Sequence, residues 1–164
     1  MKILYLMRHA KSGWDNPLLT DFERPLNERG LRDAPAMGKR LAEKKIKPDL
    51  LAASPAIRTI TTARLIAAEI QYPGERILEI PSLYEASLSA FLRVIESFDD
   101  SAQEVMIVAH NPTISNICMY LSHFQAEMPT SAIVKISFPF TSWKMISAGT
   151  GLLEWYDTPK NPES

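Results

Sequence analysis

The chain has 164 residues, 46% hydrophobic and 23% charged, the balance of one compact globular unit with a core large enough to need no covalent staples. Eighteen Lys and Arg stand against 19 Asp and Glu, with no basic stripe, so the composition argues against a nucleic-acid binder. A single cysteine, Cys118, excludes an internal disulfide and reads as a small buried apolar residue; with no apolar stretch of spanning length and none suited to a signal peptide, we expect a soluble cytoplasmic protein.

In chain order, the first predicted element is the apolar run "KILYLM" (2–7), a strand that ends abruptly in Arg8 and His9. In "LNERGLRDAPAMGKRLAEKK" Asn27 is a helix N-cap, with Leu26 and Leu31 spaced to form a hydrophobic staple. Pro35 predicts a kink, with a restart capped near Asp33. "DLLAA" (49–53) is a second strand, and "SPAIRTITTARLIAAEI" a helix capped by Ser54 with Pro55 at its first position. "RILEI" (76–80) reads as a third buried strand, and Leu88, Phe91, Leu92 and Ile95 as the apolar stripe of a helix. "EVMIVA" (104–109) is a further buried strand, followed by a helix that Asn111 and Pro112 begin. "AIVKISF" (132–138) and "GLLEWYD" (151–157) alternate more and read as strands nearer a sheet edge. Near-continuous apolar strands alternating with helices predict an α/β fold, a three-layer α/β/α sandwich on a mostly parallel sheet. One domain over 1–157 is expected, with 158–164, "TPKNPES", as a flexible tail.

Ligands of such sheets bind beyond the carboxyl ends of the strands. There the first strand delivers Arg8 and His9, the second Ser54 and Arg58, and the "EVMIVA" strand His110. Two guanidinium forks and two helix N-termini at one edge suit an anion, and phosphate fits the forks in bidentate geometry. Neighbouring cations would keep His9 neutral, hence able to attack phosphorus while Arg8, Arg58 and His110 hold the oxygens. No Cys or His cluster has metal-ligand spacing, and neither a nucleotide-binding lysine loop nor a dinucleotide glycine fingerprint is present, so no metal and no cofactor is expected. Trp14 either walls the substrate entrance or packs on its own loop, Lys11 and Ser12 line the rim, and His123 lies on the surface.

Taken together, "MRHAKSGW", "DFERPLNERG", "SPAIRTITTA" and "VAHNP" resemble the histidine phosphatase superfamily, and more closely its short SixA-type phosphohistidine phosphatases. The likeness runs in order from Lys2 to about Leu121. It implies a phosphoglycerate mutase-like fold, His9 as the phospho-accepting nucleophile, Arg8 and Arg58 as phosphate clamps, and His110 as the second pocket histidine. Arg24 matches a further pocket arginine, although pairing with Asp21 or Glu23 explains it equally well.

The chain departs from many relatives in carrying Asn111 directly after His110 and in leaving no room for a cap subdomain between "RILEI" and "EVMIVA". Glu85 is the nearest candidate acid, and a solvated loop residue is the competing reading. A labile P–N bond with an imidazole leaving group needs less acid help than an ester, so these absences favour phosphohistidine on a partner protein. The alternatives are a small-molecule phosphomonoesterase acting on a phosphorylated metabolite and a non-catalytic phosphate-binding module.

Overall fold

The computed structural model describes residues 1–160. Its strands are β1 (Lys2–Arg8), β2 (Leu50–Ala53), β3 (Leu78–Glu79), β4 (Glu104–Ala109), β5 (Ile133–Phe138) and β6 (Leu152–Asp157). Its α-helices are α1 (Glu28–Glu43), α2 (Ile57–Ile70), α3 (Leu88–Glu96) and α4 (Thr113–Ser122). The strands form one sheet in the order β3-β2-β4-β1-β5-β6. Pairing is parallel from β3 through β2 and β4 to β1, and antiparallel from β1 to β5 and β6. The fold is therefore α/β, as expected, with its antiparallel part confined to the two later strands.

Alternation along the central strands builds two apolar layers. Tyr5 and Met7 of β1 and Met106 and Val108 of β4 join Met37, Leu41, Ile60 and Ile66 of α1 and α2 on one face. Leu4, Leu6, Val105 and Ile107 face the other way, onto Phe91, Ile95, Ile114 and Ile117 of α3 and α4. Both faces of these strands are buried, which is why they read as continuous apolar runs. Trp143 and Cys118 are buried, and His123 is exposed.

Several local expectations are corrected. α1 runs unbroken through Pro35. That proline removes only the bond to the Leu31 carbonyl, on a flank where Leu31 itself is exposed to water, while buried Ala34, Met37, Gly38 and Leu41 hold the helix on both sides. Asp33 caps nothing; its carboxylate lies beside Arg29 at 3.5 Å and Arg32 at 3.4 Å. Asn27 does cap, accepting from the Gly30 N–H at 2.9 Å, but no staple forms, since Leu26 packs with Ala10 and Ala34. "RILEI" contributes only the exposed two-residue edge strand β3. α2 starts after Ala56 and α4 after Pro112, so neither Ser54 nor Asn111 is the N-cap. Of the expected tail 158–164, the Thr158 and Pro159 carbonyls accept from Arg40 at 2.8 and 2.9 Å, and residues 161–164 lie outside the described residues.

Candidate active site

At the carboxyl edge of the sheet, parallel register sets Arg8 beside Ala109, so the residues after β1 and β4, His9 and His110, emerge side by side. Their rings lie 5.4 Å apart between centroids. Arg58 arrives from the first turn of α2, after β2. A cleft of about 570 Å³ opens there, with Arg8, His9, Arg24, Arg58 and His110 all on its wall. The strand-end convergence expected from the sequence is thus present, and Arg24, expected only from the family resemblance, stands on the same wall. Glu85 also lines the cleft, as an exposed residue with left-handed backbone, φ 54°.

His9 is buried, and its Nδ1 lies 2.7 Å from the Ala10 carbonyl oxygen. A carbonyl only accepts, so Nδ1 carries the proton and Nε2 keeps its lone pair. Ala10 is itself fixed: its N–H donates to Thr62 Oγ1 at 2.9 Å, and that hydroxyl donates to the Arg58 carbonyl at 2.7 Å. Burial, chiefly, then the charges of His110, Arg58 and Arg8, bring the His9 pKa down to about 3 despite the Ala10 bond. The ranking corrects the expectation that neighbouring cations do most of this.

His110 Nε2 lies 2.7 Å from Ser54 Oγ. Ser54 Oγ also accepts from the Ala56 N–H at 3.3 Å, which ties the hydroxyl to the entry of α2. Burial and then Arg58 lower this histidine to about 4. Ser54 therefore orients a pocket histidine, a role hidden in the sequence because its partner is 56 positions away.

The arginines are held from behind. Arg8 donates to the Met128 carbonyl at 3.1 Å, and burial, then the Arg58 charge, lowers its pKa. Arg58 donates to the Asp21 carbonyl at 2.7 Å and to Asp21 Oδ2 at 3.0 Å. The buried Nε atoms of Arg8 and Arg58 have no acceptor among the described residues. Arg24 donates to Ser12 Oγ at 2.6 Å and twice to Asp21 Oδ1, at 3.1 and 3.2 Å. The exposed Trp14 ring stacks over its guanidinium at 3.5 Å, so this tryptophan both lines the cleft and packs on its loop.

Sequence reasoning missed two residues. Asp21 was weighed only as a partner of Arg24, three positions on; its reach to Arg58 and Tyr84 has no local signal. Tyr84 donates to Asp21 Oδ2 at 2.7 Å and sets its ring edge-on to His110, 5.6 Å between centroids. Burial opposes ionisation of Asp21, but bonds from Tyr84, Arg58 and Arg24 prevail and hold it at about 2. It is a fixed anion at neutral pH and cannot serve as a proton donor. Among the described residues, no group of three or more His, Cys, Asp or Glu could hold a metal ion, and no helix is long and apolar enough to cross a membrane.

A doubly wound sheet presenting a strand-end histidine among guanidinium groups defines a class, the histidine-dependent phosphatases. The chain belongs to the histidine phosphatase superfamily, branch 1, whose sequence profile matches residues 4–91. It is similar to the protein histidine phosphatase SixA solved with tungstate, TM-score 0.84 at 19% identity, covering 98% of this chain and 99% of that one; that likeness is one of fold. A candidate SixA phosphohistidine phosphatase from Agrobacterium tumefaciens is 27% identical, TM-score 0.81, with coverage of 96% and 98%. An uncharacterised chloroplast protein of Arabidopsis thaliana is 26% identical over 160 residues, 93% of this chain and 73% of its own length.

Proposed function

We propose that this phosphatase is metal-independent, works through a phosphohistidine intermediate on His9, and takes as substrate a phosphohistidine carried by a partner protein. One observation carries the reading: a buried neutral imidazole, its Nδ1 proton tied to Ala10, keeps the Nε2 lone pair for phosphorus beside guanidinium groups. In the first step Nε2 attacks phosphorus in line. The P–N bond breaks and its electron pair goes to the leaving imidazole, which takes up a proton. Arg8, Arg58 and His110 hold the equatorial oxygens where charge gathers. Water then attacks phospho-His9, inorganic phosphate leaves, and the imidazole is restored.

The substrate class is supported by the acid chemistry of the cleft. Asp21 stays ionised, and Glu85 is exposed at the rim. Such a cleft suits a leaving group that needs little protonation, and the SixA likeness points the same way. The domain is read as 1–157, with Cys118 reduced in a cytoplasmic setting.

The test is His9→Ala. Turnover of a phosphohistidine protein is lost, tungstate still binds, and mass analysis after brief exposure of wild type to substrate finds phosphate on His9. Wild-type turnover persists in excess chelator. Residual near-wild-type turnover in His9→Ala, or label on another residue, removes His9 from its role. A wild type that prefers alkyl phosphomonoesters, with a large selective loss in Glu85→Gln, moves the assignment to a small-molecule phosphatase.

A further inference from the structure

We propose that Asp21 is the internal counter-charge of the phosphate pocket: it braces Arg24 and Arg58 and keeps the hold on the oxyanion product weak enough for release. The inference rests on the cleft being a phosphoryl site. Asp21 is the hub of three separate segments. Its two carboxylate oxygens accept from Arg24 on the loop after β1, from Arg58 at the start of α2, and from Tyr84 on the loop after β3. Its backbone carbonyl accepts a further Arg58 N–H.

The charge count explains why an acid sits inside an anion site. With His9 and His110 neutral, the cleft holds the guanidinium groups of Arg8, Arg24 and Arg58, while exposed Lys11 and Glu85 at the rim offset each other. Asp21 reduces three inner positive charges to a net of two, equal and opposite to a doubly ionised phosphoryl group. Without it the pocket would carry an excess charge that attracts free phosphate as strongly as it attracts substrate. Binding substrate and product more tightly does not speed chemistry, and it slows turnover when release is limiting.

A bracing role alone and a counter-charge role predict opposite signs. If Asp21 only braces, Asp21→Asn loosens two arginines and weakens oxyanion binding. If it is the counter-charge, the neutral amide tightens binding, and more so at low ionic strength. Calorimetric titration of tungstate and of inorganic phosphate into wild type and Asp21→Asn reads the difference directly. The expected result is about tenfold tighter binding in the variant, an order-of-magnitude figure for one charge at a partly exposed site. Stronger phosphate inhibition and a steady-state rate reduced more than the single-turnover rate accompany it. Asp21→Ala, which removes the brace together with the charge, gains less affinity than Asp21→Asn. Equal or weaker oxyanion binding in both variants overturns the proposal while the phosphoryl site stands. Wild type that binds no oxyanion, with Arg58→Ala indistinguishable from it, overturns both.

Discussion

His9 and His110 take their chemistry from burial, and burial leaves a measurable signature in acid. In the folded protein they resist protonation down to about 3 and about 4, whereas in the unfolded chain each takes a proton near the ordinary 6.5. Between those values the unfolded state binds more protons, so stability declines as pH falls from about 6.5 toward 4, by at most about 1.4 kcal/mol per pH unit for each histidine. Urea unfolding from pH 4 to 7 is expected to show this slope, and His9→Ala to reduce it. The activity profile has the complementary form: neither histidine imposes an acid limb above about pH 5. A limb near 6.5 in single-turnover rates would mean that the imidazoles titrate as exposed groups. Ser54 and Thr62 steady these groups indirectly, one through its bond to His110 and the other through Ala10 and the Arg58 carbonyl.

Among the elements, α1 carries no proposed site residue, yet it seats the loop that does. A Cβ at Gly30 would stand 2.1 Å from the Lys11 carbonyl oxygen, two residues beyond His9. In an exposed helix, Gly to Ala is stabilising by about 1 kcal/mol. Here the sign reverses. Gly30→Ala is expected to lose about 1–3 kcal/mol, the range for overpacking, and to lower turnover by displacing the loop; urea midpoints and initial rates check both. The glycine of "RPLNERG" was legible as part of a motif, while its reason, a backbone from another segment, was not. The same division runs through the molecule. Strands buried on both faces and helices with apolar stripes announce themselves by local pattern, and the placing of Arg8, His9, Arg58 and His110 at strand ends follows from that pattern plus parallel topology. What failed was set by distant partners: the unbroken course of α1 past Pro35, the task of Ser54, the exposure of β3, and the sharing of Asp21 among three segments.

For the whole molecule, the decisive arrangement is the adjacency of β1 and β4 at the centre of the sheet. Each sends alternate side chains into both apolar layers, and each is followed directly by one of the two pocket histidines. The helices on either face are thus joined through the same pair of strands, and the pocket is the terminus of that pair. On heating, such a molecule has no half that can melt while the other keeps a working site. Thermal scans followed by circular dichroism, by exposure of buried Trp143, and by residual hydrolysis should therefore superimpose on one transition; activity lost well before the helices melt would show the pocket loops to be an independent unit. In practical terms, a protein of this build gives no early warning: its catalytic lifetime at a given temperature is the lifetime of the fold itself.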